Sequence, residues 1–521
     1  MTWIWLRGLV RRAPIRLLAA ACGIAVGVAL VAGLGGFLAS AEATMSQRAS
    51  AQVAVDWQVQ VAPGADSAAV LDATRSAPGT LTALPVGFAD SPGLEATVAG
   101  STQDTGAAKV LGLPPAYADT FPATVRLLTG TTDGAVVAQQ TAANLHVAPG
   151  DQIQVSRAGA APYTVTVTGV VELPQADSLF QHVGVASQGQ PVAPPDNVVL
   201  LTEAEFRAQY ADLAQARPDQ VSTQIHVRRD HTALPADPSS AYLDDTHAAN
   251  NLSARTSGAG LVGDNLGASL DAAREDASYA RILFLFLGAP GVVLAIGLTA
   301  AVTQTGAGRR RAEQAQLRAR GAAPGQLLRL VLVEAVLVGV LGVAVGLMGA
   351  ALVAEWSWPW ALAAGLGGIA VSTLVVAVPA ARDLRALAAG QLARDVERTR
   401  PAWMRFGLDL VLIAVGLAVF WASGRNKYSL VLAPEGVPTI SVSYWAFLAP
   451  GLAWLGCGLL CWRIADLVLV RGRWLVTAVG RPLLGSLAPA AASMVARQRR
   501  LVSRSAVLLA MALAFAVSTA T

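Results

Sequence analysis

Five histidines and three cysteines are the side chains of this 521-residue chain best suited to metal binding or nucleophilic chemistry. His146, His182, His226, His231 and His247 all fall between residues 40 and 280, yet none stands at metal-site spacing from a cysteine or a second histidine. Lone histidines of this kind read as surface residues. Cys22, Cys457 and Cys461 lie in apolar runs, so the block 40–280 is expected to fold without disulfides. There is no G-x-S-x-G elbow, H-E-x-x-H helix, catalytic carboxylate pair or G-x-x-x-x-G-K-[ST] phosphate loop, which argues against intrinsic catalysis, ATP hydrolysis included. The chemistry on offer is electrostatic instead. Residues 309–330, RRRAEQAQLRARGAAPGQLLRL, set Arg309, Arg310, Arg311, Arg318, Arg320 and Arg329 against the single acid Glu313, between two apolar runs. Such a stretch cannot lie in hydrocarbon, and its charge places it on the cytoplasmic side of a membrane. A short basic helix exposed there invites a protein partner.

The elements that must position this segment follow from composition. With 54% hydrophobic and 14% charged residues, the chain exceeds what one soluble core needs and reads as a membrane protein. Its charge is divided: residues 40–280 hold 11 Lys and Arg against 25 Asp and Glu, leaving 27 basic and 9 acidic residues elsewhere. An acidic soluble block beside basic membrane-flanking loops disfavours nucleic acid as a partner and favours an extracytoplasmic domain with cytoplasmic loops. A span needs roughly 20 apolar residues. Candidate spans run over 17–39, 282–302, 327–353, 360–381, 408–423, 444–462 and 505 to the end. Arg7, Arg11, Arg12 and Arg16 precede the first, and the basic loops after the second, fourth and sixth fall on the same side, so the N-terminus is read as cytoplasmic. Trp356, Trp358 and Trp360 are expected as interfacial anchors.

The first span reads as a retained helix rather than a cleaved leader, because its apolar run exceeds the roughly 7 to 15 residues of a signal h-region. Gly23 and Gly27 within it, and Gly342 and Gly346 in the third span, stand at the spacing that lets helices pack closely. Glu334 is the clearest acid inside a span, a costly position, and pairing with Arg329 is the expected remedy. The block 40–280 shows the alternating runs and turn signals of an α+β domain. Strands are expected over 53–61, 163–171, 197–201 and 222–227, with helices filling between them. Thr202 ahead of Glu203 and Glu205 predicts an N-cap for a helix over 204–213, and 261–280 is expected to be a long helix feeding the second span.

Residues 309–347 carry a resemblance: RRRAEQAQLRARGAAPGQLLRLVLVEAVLVGVLGVAVGL resembles the signature of FtsX-like permeases, the MacB-type subunits of ABC transporters. The matching positions are Glu313, Leu317 to Ala319, Gly321, Ala322, Gln326 and Glu334; Gln314, Ala315, Gln316 and Ala323 depart from the usual pattern. Residues 136–155, VVAQQTAANLHVAPGDQIQV, with the following YTVTVTGVVEL, are similar to the family's extracytoplasmic domain, and residues 378–395 to its basic exit after a fourth span. The resemblance implies a multi-pass α-helical protein of the bacterial cytoplasmic membrane. An α+β domain of the MacB-like periplasmic core type would be inserted between its first and second transmembrane helices.

The corresponding organisation has a cytoplasmic basic segment and first helix over 1–39 and the extracytoplasmic domain over 40–280. Helices two to four occupy 281–381 with a cytoplasmic coupling helix at 304–326. A basic linker follows at 382–407, helices five and six at 408–470, a basic segment at 471–504, and the start of a seventh helix at 505–521. R-R-x-x-x-R at Arg11, Arg12 and Arg16 recurs at Arg499, Arg500 and Arg504, which implies a duplicated permease seen in truncated form.

By the same resemblance the chain binds no cofactor; ATP and magnesium belong to a separate ATPase dimer gripping Glu313, Gln316, Leu317, Arg318, Gly321 and Ala322. The other expected partners are membrane lipid and an extracytoplasmic protein, lipoprotein or hydrophobic cargo. The expected role is export or release of cargo by transmitted motion; the alternative is an FtsX-like regulator of a cell-wall hydrolase.

Overall fold

The computed structural model describes residues 14–180, 183, 195–305, 307–388, 402–425, 430–432, 438–440 and 448–471, with isolated positions near both ends of the chain. His182, the arginines at 499, 500 and 504, most of the seventh candidate span and residues 389–401 of the linker 382–407 lie outside them. The chain divides into two compact units, one formed around residues 41–279 and the other by the apolar helices before and after it.

The chain enters through helix α1 (Pro14–Ala51), which runs beyond the apolar stretch and ends before strand β1 (Trp57–Val61). Helix α2 (Ser67–Arg75) and strands β2 (Thr80–Ser91), β3 (Leu94–Val98), β4 (Ser101–Asp104) and β5 (Ala108–Leu113) follow. Next come β6 (Arg126–Gly130), β7 (Ala135–Ala138), α3 (Gln139–Leu145), β8 (Gln152–Arg157), β9 (Ala160–Glu172) and β10 (Val198–Thr202). The unit closes with α4 (Glu203–Ala216), β11 (Val221–Arg229), α5 (Pro238–Arg255) and β12 (Gly260–Asp264). Among the described residues these strands form one sheet in the order β12-β1-β11-β2-β5-β10-β7-β9-β8-β3-β4, with β6 paired to β9. β5–β10 and β7–β9 are parallel; the other pairs are antiparallel.

Residues 198–201 are apolar without alternation because both faces of the sheet are covered. Val199 and Leu201 pack with Val110, Val137 and α4 residues Phe206, Tyr210 and Leu213 on one face; Val198 and Leu200 pack with Phe88, Leu111, Tyr117 and Phe121 on the other. Helix α4 starts where a capping box forms: the Thr202 hydroxyl accepts from Glu205 N, and the Glu205 carboxylate accepts from Thr202 N. Phe206, one turn in, lies over β2 and β5 because Gly87 and Gly112 leave room. A Cβ at either would stand 2.3 and 2.5 Å from its atoms.

Three expectations are corrected here. Strands rather than helices fill most of the interval 80–157, and β2 was illegible because Pro85 and Gly87 interrupt it, although Pro85 sits in register opposite Ile225. Residues 53–56 are not strand. Residues 261–264 pair with β1 as β12, so the long helix begins only at Asn265.

The membrane unit consists of α1, α6 (Asn265–Thr305), α7 (Ala307–Ala319), α8 (Pro324–Ala351), α9 (Trp358–Ala388), α10 (Leu408–Arg425) and α11 (Leu448–Arg471). Four described helical stretches are long and apolar enough to cross a membrane: Leu17–Ala51, Pro324–Ala351, Trp358–Leu384 and Leu452–Leu469; Leu408–Ala422 is a shorter apolar helix. Residues 444–447 of the expected span 444–462 lie outside the described residues, and the last long stretch contains Arg463. Its guanidinium donates to the buried carboxylate of Asp409, at 2.6 Å, and to the Met404 carbonyl. The Trp360 ring, expected at the membrane interface, lies against Gly35, where a Cβ would be 2.2 Å away.

Replacing Phe206 by Ala should destabilise the α+β domain by about 3–5 kcal/mol through the cavity left between α4 and the sheet. Denaturant unfolding of the full chain, followed by hydrogen exchange in β5 and β10, measures it.

Candidate functional site

The basic segment is not one helix over 304–326. Helix α7 stops at Ala319 and α8 starts at Pro324. The sequence dictates the break: Gly321 takes φ +91°, a left-handed conformation that glycine adopts without penalty, and Pro324 lacks the N–H that a continuing helix requires. The closing bonds are those of a Schellman motif, Gly321 N to Arg318 O at 2.8 Å and Ala322 N to Leu317 O at 3.1 Å. The next helix is capped in turn by the Gln326 side chain, which accepts from Ala323 N at 3.2 Å.

One side of α7 is fastened to its neighbours. Arg311 grips Asp383 near the end of α9 with Nε at 2.8 Å and Nη2 at 3.3 Å, a two-point contact. Arg310 donates to the Thr303 carbonyl in the last turn of α6 at 2.6 Å, and its Nη1 stands 3.9 Å from the Glu334 carboxylate of α8. Glu334, 4% exposed, therefore faces Arg310 and not the expected Arg329, which is exposed one turn before it. Gln314 is buried on this side as well. The other side is open: Glu313, Gln316 and Gly321 are exposed, and Leu317, Arg318 and Ala322 are half-buried.

Glycines set the distances behind this segment. A Cβ at Gly23 would meet Thr299 Oγ1 at 2.7 Å, and one at Gly27 would meet Ala295 Cβ at 3.1 Å, so α1 and α6 approach there. At Gly342 a Cβ would stand 2.8 Å from the Ala21 carbonyl and 2.6 Å from Ile24 Cβ, and at Gly346 it would stand 2.6 Å from the Ala25 carbonyl. Helix α8 thus rides directly on the α1 backbone.

In the α+β domain the structure gathers ionisable groups that sequence reading left scattered. His226 is fully buried, not on the surface: its Nδ1 is 2.8 Å from Tyr117 Oη, between Phe88 and Phe121, and burial pushes its pKa down to about 3. Arg229 lies with its guanidinium 3.9 Å from the centre of the Trp57 ring and its Nε 2.8 Å from Asp245. His231 Nε2 is 2.8 Å from Asp56, whose other oxygen accepts from Arg229 N. Only the buried apolar neighbours of β1 and β11 hinted at this, since no spacing rule links residues 56, 229 and 245. Among the described residues no group of three His, Cys, Asp or Glu is placed to hold a metal ion.

Two family models match the chain. A MacB-like periplasmic core domain covers residues 17–237, and the FtsX-like permease C-terminal domain covers residues 285–386, from within α6 through α7 and α8 almost to the end of α9. Together they span more than half of the sequence. The chain belongs to the FtsX/MacB-type ABC transporter permeases. No curated protein sequence matches it significantly. As an FtsX-like permease it is a membrane-embedded subunit of a kind that is generally non-enzymatic and works with an ABC ATPase. The segment Leu317 to Ala322, with its helix cap, lies inside the permease match.

Two outcomes test this geometry. Gly346→Val should destabilise the packing of α8 on α1 by about 1–3 kcal/mol, read as a lowered melting temperature in detergent. Arg311→Asp should raise hydrogen exchange of residues 307–319 a few-fold, in line with roughly 0.2–1 kcal/mol for a partly exposed pair, and Asp383→Arg in the same chain should reverse it.

Proposed function

We propose that this permease relays the conformational cycle of a separate ATPase dimer to its α+β domain, which lies on the extracytoplasmic side and expels or releases cargo there. The observation that carries the reading is the two-sided character of α7. Arg310 and Arg311 tie one side to α6, α8 and α9, while Glu313 and Gln316 stay free for a partner on the other. A helix held at three points and capped at Gly321 moves as a unit when pushed.

The receiving elements are α1 and α6, the two helices within which the boundary between the units falls, at residues 40/41 and 279/280. The acidic α+β block and basic loops favour a cytoplasmic N-terminus and an outside domain. Buried charge in the membrane unit supports relay over conduction. Glu334 faces Arg310 and Asp409 faces Arg463, so these acids have cationic neighbours and do not line an open polar path. A domain of some 240 residues favours handling of a lipoprotein, peptide or other hydrophobic cargo over a short regulatory contact.

Leu317→Asp and Glu313→Lys should each abolish stimulation of the partner ATPase by at least tenfold while the permease keeps its melting temperature. Gly321→Ala, which strains the cap without altering the exposed side chains, should lower coupling and leave co-purification intact. Unchanged ATPase stimulation and co-purification in the first two variants would overturn the proposal.

A further inference from the structure

We propose that Asp245 and Asp264 form a proton-binding pair that fastens the start of α6 to the sheet of the α+β domain and loosens it when the proton leaves. Both acids gather at Trp57, and each bears on the other's ionisation. Asp245, in α5, is fully buried and also accepts from Trp57 Nε1 at 3.3 Å; Asp264 ends β12, opposite Trp57 in the register with β1. Asp264 is at the same time the N-terminal cap of α6, its Oδ1 accepting from Gly267 N at 2.6 Å. Gly267 has no side chain to spare, since a Cβ there would stand 2.2 Å from Asp264 Oδ2. Asn265 adds a bond from its side chain to the Val55 carbonyl, and the amides of Asn265 and Leu266 both donate to Asp56 O. The pair therefore sits where the long helix leaves the sheet.

The charges facing it are few. Arg229 of β11 reaches Asp245 and stacks on Trp57; Asp56, before β1, is turned toward Arg229 N and His231; Arg228 bears on His231 from the same strand. One guanidinium cannot neutralise two neighbouring buried carboxylates as well as a third nearby, which favours one of the pair keeping its proton. Burial raises the pKa of both, and Asp245 raises that of Asp264 further. His231 is raised by its hydrogen bond to Asp56. A group whose folded pKa is raised contributes stability that is full below its unfolded value and is lost as pH climbs through the folded one. Asp245, Asp264 and His231 all act in that sense: acid tightens the junction and alkali loosens it. On the orientation proposed above, the controlling pH is that outside the cell.

Hydrogen exchange of the full chain in nanodiscs, corrected for intrinsic rates, tests this without any partner ATPase. As pH rises from the ordinary carboxylate range, about 4, through the raised folded values, protection of residues 238–270 should fall by up to about tenfold per pH unit while the pair loses its proton. Asp264→Asn and Asp245→Asn, which keep the side chain's size but remove one ionisable carboxyl of the pair, should make that protection independent of pH apart from the smaller share of His231. Gly267→Ala, which displaces the Asp264 carboxyl and leaves both acids in place, should shrink the step. A wild-type chain with no pH step in 238–270, or asparagine variants that retain the full step, would overturn the proposal. The wild-type measurement decides it even if the variants fail to fold.

Discussion

The membrane unit depends on how closely α1 can be approached. Three helices come down onto it at glycines: α6 at Gly23 and Gly27, α8 through Gly342 and Gly346 onto the carbonyls of Ala21 and Ala25, and Trp360 of α9 at Gly35. In hydrocarbon there is no hydrophobic drive between helices, so association rests on van der Waals contact and backbone proximity. Small residues supply both. The consequence is positional, because a displacement of α1 by the width of one methyl group is felt by α6, α8 and α9 together. Ser372 reinforces the second rank of this packing, its hydroxyl donating to the Ala335 carbonyl of α8 at 2.7 Å.

Against that packed set, α7 stands as an outrigger whose ends are fixed by chemistry rather than by burial. Arg310 satisfies a carbonyl in the last turn of α6 and faces the buried Glu334; Arg311 closes onto Asp383; Gly321 reverses the chain so that α8 can begin at Pro324. Each of these contacts joins a different helix. The basic run that keeps this segment out of the bilayer thus also supplies the cations that locate it, which explains why only part of its charge remains for a partner.

How much was legible follows from what each residue has to satisfy. Local rules worked where Thr202 with Glu205 specified a helix start and the alternation in 163–171 specified the middle of β9, whereas the break that Gly321 and Pro324 impose falls inside the stretch 304–326 expected as one helix. Rules of composition failed where tertiary contact decides. Pro85 and Gly87 hid β2, yet the glycine is there because Phe206 needs the space above it. His226 looked like a surface residue because nothing near it in sequence reveals that Tyr117, 109 positions away, accepts or donates the bond that lets it be buried. Glu334 was assigned the nearest arginine, Arg329, but five positions along a helix leave side chains on different faces, and the cation comes from α7 instead.

The α+β domain concentrates its unusual chemistry at one edge. The sheet from β2 to β9 is covered on both faces by apolar clusters, close-packed and therefore stiff. At the β12-β1-β11 edge the interior instead holds Asp56, Arg229 and Asp245, with Asp264 beside them. Replacing such a network by apolar side chains would usually cost no stability, so its presence calls for a reason other than strength. The edge is also where the chain arrives from α1 and departs into α6, and Ala49 of α1 packs there with Leu266 and Leu270 of α6. A junction held by apolar contact alone would respond only to force. One held partly by shared protons and a single guanidinium responds to the medium too, and it does so at the two helices through which any motion must enter or leave the domain.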